Sequence, residues 1–131
     1  MANIPKDLKY TKTHEWVRVE GENVTTGVTD FAQSELSDIV YVDINTVGST
    51  VSRNEPIGTI EAVKAVADMN APVSGEVLEA NTALQTEPAK VNQDPYGEGW
   101  IARLKLTKQE ELDDLLDPAG YADLVKKSEH H

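Results

Sequence analysis

The sequence contains no cysteine, which removes disulfides, thiolate nucleophiles and cysteine-based metal sites together and suits a reducing compartment. Positive charge is also scarce: 12 lysines and arginines face 23 aspartates and glutamates, for a formal net charge of −11. A surface of that sign disfavours nucleic acid and anionic membranes as partners and favours basic protein surfaces. No apolar run is long enough to cross a bilayer, and the opening MANIPKDLKY has neither the basic start nor the apolar core of a signal peptide. A soluble, cytoplasmic protein is expected. The parts of an enzyme are missing too, since there is no glycine-rich phosphate loop and no spaced set of histidines and carboxylates. His14 stands alone, and His130 and His131 read as the remnant of a purification tag.

What is present suffices for one modest core: 39% of the 131 residues are hydrophobic, and a single domain over residues 1–131 is expected. Residues 1–13 are polar and of mixed charge and read as an irregular arm. The stretch HEWVRVEGENVTTGVT alternates and turns at residues 21–23, predicting two antiparallel strands. Thr29 or Asp30 caps a short helix over FAQSELS, with Phe31 and Leu36 as its apolar contacts. DIVYVDIN is a strand by its β-branched and aromatic content, APVSGEVLEAN another, with Gly75 marking a bulge or a close backbone approach. TALQTEPAKVNQDPYGEG is dense in turn residues and predicts a long surface loop before a last strand, WIARLKL.

The C-terminal part changes period. Thr107 and Glu110 have the spacing of a capping box opening a helix over KQEELDDLLD, with Leu112, Leu115 and Leu116 on one face. Pro118 suits the first turn of a second helix, whose stripe is Tyr121, Leu124 and Val125 and whose end carries Lys126 and Lys127. These helices, over about residues 107–127, are read as packing on the sheets. Glu110, Glu111, Asp113 and Asp114 form an acidic face open to a partner.

The most informative stretch is PIGTIEAVKAVADMNAP. Pro56 and Pro72 stand at equal distances on either side of Lys64, with small or branched apolar residues between, so residues 56–72 read as a hairpin with Lys64 at its tip. A tip is solvated, so the lysine costs nothing to expose there and is a poor core element. The small neighbours Ala62, Val63 and Ala65 leave its ammonium accessible to a modifying enzyme.

With KYTKTHEWV, GVTDFAQSELSDIVYVD, IEAVKAVAD, APVSGEVLEAN, VNQDPYGEGW and ELDDLLD in order, the chain resembles the H-protein family of the glycine cleavage system from about Lys9 to Asp123. The lysine motif is shared with other lipoyl and biotinyl domains, whereas THEW and DPYGEGW are not. The resemblance implies a mainly β fold, a flattened barrel-like sandwich of two antiparallel sheets of the lipoyl/biotinyl hybrid type, with short helices at the edge and C-terminus. It implies lipoic acid joined covalently to Lys64 by a lipoylating enzyme. It also implies a carrier that does no bond chemistry itself and visits glycine decarboxylase (pyridoxal phosphate), aminomethyltransferase (tetrahydrofolate) and dihydrolipoyl dehydrogenase. Glu61 is implied as a recognition element for the lipoylating enzyme, and Thr13, Glu15 and Asp68 as the cleft that holds the cationic cargo of the arm.

Two positions depart from the usual family pattern: Ala62 stands where many members have serine, and Phe31 where many have histidine. Neither disables the lysine. Other readings are a lipoyl domain or lipoyl donor serving 2-oxoacid dehydrogenases, and an unlipoylated H-like interaction protein. A biotin carrier usually has methionine on both sides of its lysine, where this chain has Val63 and Ala65.

Overall fold

Where apolar and polar residues alternate the chain is extended, and its strands divide between two sheets. The computed structural model describes residues 3–129. Its strands are β1 (Lys9–Tyr10), β2 (Glu15–Glu20), β3 (Asn23–Val28), β4 (Ile39–Ile44), β5 (Thr50–Val51), β6 (Pro56–Ala62), β7 (Val66–Asn70), β8 (Gly75–Ala80) and β9 (Ala102–Leu106). Three α-helices accompany them: α1 (Asp30–Leu36), α2 (Lys90–Gln93) and α3 (Pro118–Glu129). One sheet has six strands in the order β1-β2-β3-β9-β8-β5, the other three in the order β4-β6-β7, and all neighbours are antiparallel. The sheets stack without closing, giving the flattened sandwich expected. Val17, Val24, Val77 and Leu104 from one sheet meet Val42, Ile60 and Met69 from the other in one buried cluster.

A second cluster fixes the C-terminus. Leu8, Tyr10, Trp16, Phe31, Tyr121 and Val125 pack together at the side of the larger sheet. Trp16 is fully buried and donates from Nε1 to the Pro95 carbonyl at 2.9 Å. Its register partner is Gly27, where a Cβ would come within 2.8 Å of Nε1, so glycine is the residue that lets the indole lie flat on the strand. Tyr121 of α3 stacks on Tyr10 with centroids 4.6 Å apart, a contact that adds to area burial.

Several expectations are corrected. The supposed irregular arm contains β1, with Leu8 and Tyr10 buried and Tyr10 bridged to Leu116 in both directions. The supposed surface loop contains a 3₁₀ turn (Thr82–Gln85) and α2, and buries Leu84 and Val91. A structureless run of that length would leave too many backbone groups unpaired, and Asn92 instead binds the Ile39 amide and the Ser37 carbonyl. At Gly75 the close approach is found, a Cβ there lying 2.3 Å from the Lys105 carbonyl oxygen, while the shift in register falls between Val77 and Glu79.

The expected capping box does not form. Lys108 is the N-cap, no side chain caps it, and residues Gln109–Asp114 make a 3₁₀ helix rather than an α-helix. The acidic face is broken for a related reason: Glu111 turns inward, accepting from the Ser74 amide at 2.6 Å and the Ser74 hydroxyl at 2.9 Å. In α3 the side chain of Asp117, just before Pro118, accepts the Gly120 amide at 2.7 Å. His130 and His131 lie outside the described residues.

Glu111→Ala is expected to lower stability by about 1–3 kcal/mol, because it strands the buried Ser74 amide. Exposed Glu110→Ala should stay within about 0.5 kcal/mol. Urea melts of the two variants check this, and equal midpoints would refute it.

Candidate functional site

The β6–β7 hairpin is tight because only Val63, Lys64 and Ala65 lie between its strands. The Ala62 amide donates to the Ala65 carbonyl at 2.7 Å, closing the turn, and the Val63 amide donates to the Asp38 carbonyl at 2.9 Å, tying it to the start of β4. Lys64 is exposed and takes part in none of the ion pairs among the described residues. The symmetry about Lys64 is approximate. Pro56 pairs with Asn70 rather than with Pro72, and the register shift between Pro56 and Gly58 adds to the offset. Lys64 is the middle of the three residues between the strands, and the pairing of Glu61 with Val66 centres the register between Val63 and Lys64.

Along the inner side of β7 runs a cleft of about 380 Å³. That size falls within the range of small-ligand sites. Thr13, Glu15 and Asp68, the three residues implied as cargo ligands, all line it. Lys64 and Glu61 do not: Lys64 stands at the tip, and Glu61 is exposed on the outward side of β6. Asp68 lies four positions after Lys64, a span of at most about 14 Å when extended.

Glu15 is the centre of the cleft's polarity. It is 3% exposed, and its Oε1 accepts from the hydroxyls of Thr11 and Thr13. Burial pushes its carboxyl above the usual range, while those two hydroxyls and the Asn70 amide oppose the rise. Asp68 is exposed at the rim, as is Glu35 from α1. Val28, Phe31, Ile60 and Ala67 supply apolar wall, and Ser128 brings α3 to the same cleft. A pocket with one buried carboxyl, a carboxylate rim and apolar walls suits a small cation on an apolar stem.

His14 sits beside Glu15 with φ of 71°, in the left-handed region where a non-glycine residue is uncommon. This bend lets Thr11 and Thr13 both reach the Glu15 carboxyl. The His14 ring lies 5.0 Å from Phe31, and its Nδ1 shares a 2.9 Å hydrogen bond with the Tyr121 hydroxyl, which lies 2.6 Å from Thr29 Oγ1. Burial pushes the imidazole below its ordinary value, with Glu35 pulling the other way. Thr29 also caps α1 by accepting the Ala32 amide, so one hydroxyl serves helix and cleft.

Sequence reasoning missed Thr11, Glu35 and Ser128. The pair of threonines two and four residues before Glu15 was a legible signal for Thr11. Nothing in sequence pattern brings Ser128 across from the far end of the chain. His14, read as isolated, is isolated only from other histidines.

Comparison with known proteins agrees with this architecture. The family model described as Glycine cleavage H-protein matches residues 8–128. The glycine cleavage system H protein of Rubrobacter xylanophilus is 55% identical over 129 residues, covering 98% of this chain and 100% of that one. That of Thermus thermophilus is 51% identical, covering 95% and 97%. The crystal structure of a glycine cleavage system H protein from Mycobacterium marinum superposes with a TM-score of 0.73 at 38% identity, covering 85% of this chain and 98% of that one. A match that runs through the THEW strand, the hairpin and the DPYGEGW turn alike leaves one conclusion, that this chain belongs to the glycine cleavage H-protein family.

Proposed function

We propose that this chain is the lipoyl-bearing carrier of the glycine cleavage system, with Lys64 as the attachment point and the Glu15 cleft as the resting place of the cargo. The observation that carries this reading is that the strand leaving the Lys64 turn is also a wall of the cleft. β7 leaves the exposed Lys64 tip and, within four residues, forms the wall of the cleft. Lipoic acid joined to Lys64 supplies a disulfide ring able to take up the aminomethyl group of glycine and to pass on reducing equivalents. The protein's own residues do the rest.

Lys64 offers an amine at a turn too tight to fold back over it. Glu15 and Asp68 present negative charge to a cation, and an arriving ammonium offsets the cost of burying the Glu15 carboxylate. Burial disfavours the charged form of the His14 ring, which works against adding positive charge to a cleft built for a cation. Val28, Phe31, Ile60 and Ala67 keep water from the stem. Tethering replaces free diffusion with a high local concentration at each partner enzyme. Those partners are the glycine decarboxylase, the aminomethyltransferase and dihydrolipoyl dehydrogenase, with a lipoylating enzyme upstream. The cysteine-free, acidic composition supports a cytoplasmic place of work, and no helix among the described residues is long and apolar enough to cross a membrane.

Intact mass before and after incubation with a lipoate ligase tests the attachment. A single lipoyl increment is expected on the wild type and none on Lys64→Ala; an increment surviving the substitution would remove the reading.

Glu15 gives a second prediction, through stability. Because burial raises its folded-state pKa above the unfolded value, its contribution is fully present below the unfolded pKa and is lost as pH rises through the folded one. Glu15→Gln does not titrate. The melting temperature of Glu15→Gln minus that of the unloaded wild type should therefore rise as pH goes from about 4 to about 8, and a flat or falling difference would contradict the assignment.

A further inference from the structure

Four of the seven large apolar side chains exposed among the described residues stand near Lys64. Val63 and Val66 are each 68% exposed, and Val40 and Tyr41 of β4 are 51% and 46% exposed. The strand register shows how they come together. Tyr41 pairs with Glu61 and Glu61 with Val66, so these three side chains form one rung on the outward face of the three-stranded sheet, the rung next to the tip. Paired side chains lie about 5 Å apart, close enough to make one surface.

The ladder slips between Ile39 and Tyr41, which makes Val40 the extra residue of a β-bulge. Bulges re-aim side chains, and this one leaves two consecutive apolar residues in solvent. Beyond Val40 a groove of about 480 Å³ continues to Pro88, Ala89 and Gln93. Asp38, whose carbonyl accepts the Val63 amide, joins the tip to that same corner. Single exposed valines are ordinary, but a contiguous group marks an interaction site. In the middle of the rung stands the carboxylate of Glu61, while in the groove Glu87 is paired with Lys90 at 3.6 Å.

We propose that this face, with Val40 and Tyr41 as anchors, is the dock for the enzyme that acylates Lys64, which would present an apolar ridge with a basic side chain opposite Glu61. The inference rests on the carrier reading above. Its basis is reach. An acylating enzyme must bring Nζ itself to its reactive centre, so it encloses the tip and covers the adjoining rung. An enzyme that works at the far end of a long arm need not. In the acylation the neutral Nζ attacks the carbonyl of an acyl adenylate: the N–C bond forms, the C–O bond to phosphate breaks, AMP leaves with the electron pair, and the nitrogen's proton passes to a base. No electrons change hands between centres.

The test measures initial rates of acylation by a lipoate ligase supplied with lipoate and ATP, read by intact mass. The proteins are the wild type, Val40→Ser/Tyr41→Ser, Val66→Ser and, as control, Val19→Ser on the other sheet. Thermal melts of all four confirm folding. The double variant should lose about tenfold in kcat/KM through KM and still reach one lipoyl group per chain at long times. Val66→Ser should move the same way and Val19→Ser not at all. Once fully acylated, the double variant should be reduced by dihydrolipoyl dehydrogenase at the wild-type rate. Equal acylation of wild type and double variant would overturn the dock, and so would an equal loss with the dehydrogenase. A wild type that takes no lipoate at all would instead remove the carrier reading beneath it.

Discussion

Holding a carboxyl group almost wholly out of water is the constraint around which the cleft is built. Glu15 can be buried only if donors meet it, and its donors come from three places: Thr11, Thr13 and the β7 amide of Asn70. Each must be fixed in turn. The left-handed turn at His14 folds the two threonines onto the carboxyl, and the His14 carbonyl accepts the Thr29 amide at 3.1 Å. Just upstream, Tyr10 is bridged to Leu116 and stacked on Tyr121. The aromatic cluster at the side of the sheet is therefore the support of the polar site rather than a second core with no bearing on it.

The two sheets divide the work. The six-stranded sheet supplies the frame, with Trp16 pinned to Pro95 and β2 carrying Glu15. The three-stranded sheet holds Lys64 at its tip and the cleft wall along β7. A site built on strands is held more precisely than one built on loops. Here Ile60 and Met69, both essentially buried, anchor the hairpin that presents the lysine. The tip itself has almost no freedom: three residues between the strands, closed by one backbone bond and tied by another to Asp38.

Much of this was legible in the sequence because local chemistry and global fold agree there. Ile39–Ile44 is a strand with the limits its β-branched run suggests, and Thr29 caps α1 as its position before FAQSEL indicates. The hairpin and its lysine were readable from small residues and flanking prolines, and Thr13, Glu15 and Asp68 from family resemblance. What could not be read depends on contacts between distant residues. Leu8 and Tyr10 look like part of a polar arm until α3 arrives to cover them. Leu84 and Val91 sit among turn residues that hide their burial. Glu111 belongs by sequence to a solvated acidic run, and only the nearby Ser74 amide explains why it turns inward. The capping box at Thr107 failed through the same kind of override, since tertiary packing took the segment into a 3₁₀ turn.

β7 is the last strand of its sheet, and a bare last strand is a template on which another chain can add itself. In this fold that side of β7 opens onto the cleft, where residues 13–15 and the helices α1 and α3 stand over it and the rim carries carboxylates. The opposite margin, β4, is interrupted by the bulge at Val40. The hollow suited to a small cation is thus also what denies a neighbouring molecule a straight strand to pair with, so a substitution that empties or widens it would threaten solubility as well as cargo.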